Sequence, residues 1–290
     1  MTGLEGQNQS THEDTLSILY QDDELVAIRK PSGVMTHRSR IAEDDDPSAM
    51  ERLRDQLNTW VYPIHRLDRA TSGILLFGLN KESARKLHQS FTEGRVSKNY
   101  WMITRGHAPL TADIDRPLKE KRDRITDKKA QVDKPAQAAH TQIETLAHLT
   151  LPIPLGRYPT ARFSLVQASL KTGRRHQIRR HLAGLNYPII GDTTHGRGEQ
   201  NRFFRTHFMA NRLMLAAVEL TLPHPTTDRD LRITASLSGV MARLCDMLFF
   251  GQDGEPFSTE LIAKDEHLSI KLDWLKSRID FDHLLATPQA

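Results

Sequence analysis

The residues best suited to chemistry lie in one run, His65-Arg-Leu-Asp-Arg-Ala-Thr-Ser-Gly73. Asp68 stands there between two arginines, Arg66 and Arg69. Such a group is usually a surface ion pair of little worth. Its position gives it a second reading. The polar run ends in small residues and leads directly into Ile74-Leu75-Leu76-Phe77-Gly78-Leu79, an apolar strand pattern. A polar loop set against a buried strand holds its side chains rigidly at a sheet edge. A carboxylate kept there among arginines can serve as a nucleophile. These residues alone name no substrate.

Cationic groups are clustered. Lys171, Arg174, Arg175, Arg179 and Arg180 fall within ten residues, with His176 and His181 among them. Lys119, Lys121, Arg122, Arg124, Lys128 and Lys129 form a second group. Such clusters neutralise nucleic-acid phosphates or are simply solvated, and a net charge of +4 does not decide between the two. The chain has no Gly-x-Gly-x-x-Gly and no phosphate-binding Gly-Lys-Ser/Thr loop, so no nucleotide cofactor is expected. There is no His-Glu-x-x-His pattern, and His176 and His181, five apart, are turned off a common helical face. Cys245 is the single cysteine, which excludes an intramolecular disulfide and a cysteine-based zinc site. No metal is expected.

These groups need elements to position them. A chain of 290 residues with 38% apolar and 26% charged residues can bury a substantial core and is not wholly disordered. Its longest strongly apolar run, Leu213 to Val218, is too short to cross a bilayer. Residues 1–15 read as a flexible leader without a signal-peptide pattern, so a cytoplasmic location is expected. Ser17–Tyr20 and Leu25–Ile28 flank a polar turn and predict a β-hairpin. Lys30-Pro-Ser-Gly33 breaks the second strand. A helix is predicted over Ala49–Leu57. Asn80 is placed to cap another, with Ala84, Leu87 and Phe91 as its inner stripe and Gly94 as its end. Tyr100–Thr104 and Leu213–Leu222 predict strands. In Ala161–Leu170, Phe163 and Leu165 face one way, and Val166, Ala168 and Leu170 the other. Arg174–Leu185 predicts a basic helix with Ile178, Leu182 and Leu185 inside. Residues 117–140 read as a long charged hairpin or loop. Cys245 sits in an apolar helical pattern as a core residue. Residues 16–250 thus form one domain, and 251–290 a helical extension with Leu272, Leu275 and Ile279 at helical spacing. Strands mixed with helices, without a regular βαβ rhythm, predict an α+β fold with a largely antiparallel sheet.

The run from His65 to Gly73 resembles the catalytic motif of the RluA family of pseudouridine synthases. Lys30-Pro-Ser-Gly33, followed by His37-Arg38-Ser39, resembles the family's N-terminal motif. Lys98-Asn-Tyr-Trp101, running to Arg105-Gly106, resembles the segment that carries its active-site tyrosine. Lys171-Thr-Gly-Arg-Arg-His-Gln-Ile-Arg179 resembles its third motif, and Pro188-Ile-Ile-Gly-Asp192 and Arg212-Leu-Met-Leu215 its later signatures. The matches keep the family order across residues 16–225. One departure occurs: the family pattern has Leu-His-Ala where this chain has Leu215-Ala216-Ala217.

The resemblance implies that Asp68 attacks either the ribose C1′ or the uracil ring of a uridine in RNA. The N-glycosidic bond breaks, the base turns, and C5 bonds to C1′, with no cofactor. It implies that Arg179 pairs with Asp68, that Tyr100 stacks on the uracil or takes the C5 proton, and that Leu215 packs at the pocket floor. Arg66 would fill the space that the flipped base vacates, and Arg174 would contact phosphate. His65 would assist or bond the loop backbone. Lys30 would meet phosphate or remain a solvated charge. The basic segment from Lys119 to Lys129 would be an RNA clamp or a solvated loop. Gly156-Arg-Tyr-Pro-Thr160, Asp192-Thr-Thr-His-Gly196 and Gln200-Asn-Arg202 resemble a subgroup acting on tRNA, which implies tRNA uridine 65 as the target. A ribosomal RNA substrate, or a non-catalytic RNA-binding protein on the same scaffold, are the alternatives. A carboxylate glycosidase would need a second acid near Asp68.

Overall fold

The computed structural model describes residues 15–38, 46–119 and 135–249. Its elements are β1 (Ser17–Gln21), β2 (Leu25–Lys30), α1 (Ala49–Leu57), β3 (Tyr62–Pro63), β4 (Ser72–Gly78), α2 (Lys81–Thr92), β5 (Ser97–Arg105), β6 (Thr111–Asp115), β7 (His140–Leu151), β8 (Ala161–Leu170), α3 (Gln177–Gly184), α4 (Gly198–Phe208), β9 (Leu215–Pro223), β10 (Asp230–Thr234) and α5 (Gly239–Phe249). The strands form one sheet in the order β1-β2-β4-β9-β5-β8-β7-β6, with β10 added on β9 and β3 on β4. Every described pairing is antiparallel except β4 with β9. This is the α+β architecture expected.

Local chemistry explains the elements. Asp22 accepts the N–H groups of Glu24 and Leu25 and so closes the β1–β2 turn. Ser48 and Glu51 cap each other at the start of α1, a reciprocal box that satisfies two orphan amides. Asn80 accepts the Ser83 N–H at 2.9 Å and starts α2 where expected. All seven residues of β4 are buried. Burial of Ile74, Leu75, Leu76 and Phe77 contributes roughly 1.5–3 kcal/mol each.

The centre of the sheet needs a glycine. Gly73 lies at φ +108 opposite Ala217, and a β-carbon there would stand 2.1 Å from the Ala217 carbonyl oxygen. The parallel contact of β4 with β9 therefore requires a bare α-carbon immediately after the Asp68 loop. Gly73→Ala is expected to cost about 2–3 kcal/mol through left-handed strain and overpacking. Urea denaturation checks this; a change under 0.5 kcal/mol would show that the two strands can part without loss.

Three expectations change. The helix predicted from Arg174 begins at Gln177, because His176 adopts a left-handed conformation (φ 55) and Arg174 and Arg175 stay in the preceding turn. Leu185 is not inside: it follows the last turn of α3 and is 36% exposed. Strands β3, β6, β7 and β10 and helix α4 were not anticipated. Strand β7 alternates strictly, with Thr141, Ile143, Thr145, Ala147, Leu149 and Leu151 inside. Threonine and alanine at half of those inner positions hide the period of two. Cys245 is buried, as expected. Residues 1–14, 120–134 and 250–290 are not among those described, so the leader, most of the basic segment beyond Lys119 and the C-terminal extension lie outside. No helix among the described residues is long and apolar enough to cross a membrane.

Candidate active site

The loop before β4 is built around its own carbonyl groups. The Thr71 N–H donates to the Asp68 carbonyl at 3.0 Å, which closes a tight turn. The segment after β2 then grips the outer side of this turn. The Lys30 ammonium donates to the carbonyls of Pro31 and Val34 at 2.7 Å and of Arg69 at 3.1 Å. Ser32 donates to the Ala70 carbonyl at 2.7 Å, and Thr36 to the Leu67 carbonyl at 3.2 Å. Arg69 returns a bond from Nε to the Gly33 carbonyl at 2.7 Å. Arg212 fixes the loop's end, donating to Ser72 Oγ at 2.6 Å.

This corrects the expectation for Lys30. Its side chain has no exposed surface, so it neither meets a phosphate nor carries a solvated charge. Burial, followed by the positive charge of Arg212, brings its pKa down to about 7. Its work is to hold the Asp68 loop.

His65 is likewise a positioning group. Its Nε2 accepts the Leu76 N–H at 3.2 Å, and its ring stacks on Phe91 at 5.2 Å. Burial, helped by the charge of Lys98, lowers its pKa to about 4, so the ring is neutral. Of the two roles open to it, backbone bonding is the one seen, and His65 does not line the cleft described next.

Asp68 faces a cleft of about 100 Å³ whose walls include Arg66, Tyr100, Arg174, His176, Arg179 and Leu215. Arg179 reaches it from the first turn of α3, with Nη1 at 3.2 Å from Asp68 Oδ2. The remaining edge of the guanidinium is held by Asp192: Nε to Oδ2 is 2.8 Å and Nη2 to Oδ1 is 2.9 Å. Asp192 also accepts the N–H groups of Thr194 and His195, both at 2.9 Å. Burial opposes both charges. The hydrogen bonds between them, with their mutual attraction, outweigh it: Arg179 is raised above its ordinary range and Asp192 lowered below its own. Arg179 is therefore a fixed cation aimed at Asp68.

Nothing in the sequence around Asp192 names its partner. The available signal was an acid directly after the apolar run Pro188-Ile189-Ile190 and Gly191. Gly191 lies at φ +80, and a β-carbon there would meet the Arg212 carbonyl at 1.9 Å. Gln177 was missed as well. Its buried amide donates to the His140 carbonyl and Thr141 and accepts from Thr172 and the Arg174 N–H. It ties the 171–174 turn to β7.

His176 completes the wall. Its Nε2 lies 3.8 Å from Asp68 Oδ2, and its Nδ1 is 3.1 Å from His195 Nε2. Burial above all lowers its pKa to about 4. At neutral pH the ring is uncharged, which leaves Arg179 as the cation bonded to Asp68 among the described residues. Arg66 is exposed at the mouth, and Arg174, also exposed, donates from Nε to the Ala138 carbonyl at 3.0 Å. Tyr100 is buried across the cleft; burial and then the charge of Asp68 push its phenol pKa well up. Leu215 is 3% exposed. Ala216, which stands where the family pattern has histidine, pairs with Ser72 and Trp101 and is not part of the cleft wall. The departure from the pattern therefore lies outside the cleft.

Comparisons with known proteins point to one family. The family model described as RNA pseudouridylate synthase matches residues 24–184. The chain is 47% identical over 225 residues to tRNA pseudouridine synthase C of Vibrio cholerae, covering 78% of this chain and 92% of the relative. It is 49% identical over 222 residues to the protein of the same name from Salmonella typhimurium, covering 77% and 85%. Among solved structures, human RNA Pseudouridylate Synthase Domain Containing 4 aligns with a TM-score of 0.59 and 25% identity, over 79% of this chain and 91% of that one. The matched span and these identities show that the chain belongs to the RNA pseudouridylate synthase family.

Proposed function

We propose that this pseudouridine synthase converts a uridine of tRNA, at position 65, to pseudouridine, with Asp68 as the attacking carboxylate. The observation that carries the reading is the Asp68–Arg179–Asp192 chain at the wall of a small cleft. A cleft of about 100 Å³ does not admit a duplex. The target base must therefore leave its stack, and Arg66 at the mouth can occupy the gap. Tyr100 offers the ring to stack on. A phenol held protonated is a poor proton acceptor, so the raised pKa supports stacking for Tyr100 over removal of the C5 proton. During the reaction the N1–C1′ bond breaks, a C5–C1′ bond forms, and the bond that Asp68 made to the nucleotide breaks again, which frees the carboxylate. The proton lost from C5 is matched by one gained at N1, so no redox partner is required. Arg174, exposed in the turn before α3, would contact phosphate. The tRNA assignment rests on the names of the relatives, and such work would place the protein in the cytoplasm.

The test is tritium release from transcripts labelled at uridine C5. Release from tRNA and none from ribosomal RNA fragments is expected. Release from ribosomal RNA alone would keep the isomerisation and overturn the tRNA assignment. Tight RNA binding with no release from either would favour a non-catalytic binding protein.

A further inference from the structure

A second cavity, of about 370 Å³, lies beyond the far end of α3. It is larger than the Asp68 cleft and within the size range of small-ligand sites. Arg105 at the end of β5 and Gly106 after it, Tyr158 before β8 and Arg162 within it, Tyr187 and Gln200 line it. None of these side chains takes part in the arrangement around Asp68.

Two observations point to a ligand. Gln200 is 5% exposed, yet its Oε1 has no hydrogen-bond partner. A buried amide oxygen without a donor is destabilising, and natural proteins rarely keep one without reason. Tyr158 supplies the second. Its ring is 43% exposed, with the guanidinium groups of Arg105 and Arg157 at 5.7 Å and 5.1 Å from its centre. An exposed aromatic face among cations suits a nucleobase with its phosphate.

The cavity and the Asp68 cleft lie toward opposite ends of α3. From Arg179 to Leu185 at the cavity's rim is six residues, along α3 to the position just past its end, a rise of about 9 Å. Asn201 links the two places: it accepts the Gly191 N–H at 2.8 Å and donates to the Asp192 carbonyl at 2.9 Å. The segment that sets Asp192 therefore also sets Gln200.

We propose that this cavity is a second nucleotide subsite. It takes one further base of the RNA whose uridine reaches Asp68, stacked on Tyr158, with an amino-bearing edge donating to Gln200 once that side chain turns its buried oxygen to the cavity, and its phosphate met by Arg105 and Arg162. The inference rests on RNA being the substrate. Adenine, cytosine and guanine all present such an amino donor.

The test measures binding of a labelled tRNA transcript to the Asp68→Asn protein, alone and with Tyr158→Ala or Gln200→Leu added. Each added change is expected to raise Kd roughly five- to tenfold. Gln200→Leu removes an unpaired oxygen, so its Tm should stay level or rise while binding weakens. In the otherwise unaltered enzyme the effect should fall on KM rather than kcat. Unchanged Kd for both variants, with a lower Tm for Gln200→Leu, would make Gln200 a packing residue and overturn the subsite. Because Kd is read without turnover, the two readings separate. Tritium release with unchanged binding sinks the subsite alone. Weakened binding with no release from tRNA sinks the proposed reaction and leaves the subsite standing.

Discussion

Asp68→Asn is expected to lower turnover by at least about 10⁴-fold, the order seen when a reacting group is removed. The amide has nearly the same shape but cannot act as a carboxylate nucleophile. The surroundings explain why the loss should be confined to chemistry. Asp68 is not what holds Arg179, because Asp192 grips the guanidinium at Nε and Nη2. The loop carbonyls stay on Lys30, Ser32 and Thr36. Tm should therefore change by no more than about 2 °C, and Kd for RNA by less than about threefold, since surface-facing changes of this kind are small. Single-turnover tritium release together with thermal melting checks it. Residual activity within tenfold of wild type would remove Asp68 from the reaction.

Asp192→Asn should show the opposite pattern, with stability and activity falling together. Asp192 is 1% exposed and Arg179 6%. Neutralising one partner leaves a buried guanidinium that is only partly compensated. Breaking such a pair costs about 3–5 kcal/mol, or a fall in Tm of roughly 10 °C in a domain of this size. Freed from Asp192, Arg179 would turn toward Asp68 and occupy the carboxylate. A displacement of that kind costs about 10²-fold in rate. The acid limb of the stability curve adds a second readout. The folded-state pKa of Asp192 is lowered, so its contribution is present at neutral pH. It is lost as pH falls through that lowered pKa. Wild type should thus lose stability in acid more steeply than Asp192→Asn. Equal acid limbs, or a variant as stable as wild type, would show that the pair contributes nothing net.

Elements whose signals are local were legible in the chain. The β1–β2 hairpin, helix α1, the capped start of α2, and strand β8 depend on residues a few positions apart. Asp68 stands out from its own surroundings, a family resemblance adds Tyr100, Arg179 and Leu215, and the fold brings all four to one cleft. Strand β7 escaped because its inner face mixes Thr and Ala with larger apolar side chains, which weakens the period-two signal.

By itself, the sequence determined that a lone acid sits among arginines before a buried strand, and that a basic turn and helix follow far downstream. Only the tertiary structure decided what each charge does. Lys30 looked like a surface cation and is a buried clamp on three carbonyls. His65 looked like a site residue and bonds the backbone of β4. Asp192 carried no assigned role and holds the arginine that faces Asp68. The reason is separation along the chain. Asp68 and Arg179 are 111 residues apart, and the burial of a charge, with the identity of its partner, is set by how strands and loops pack rather than by nearest neighbours.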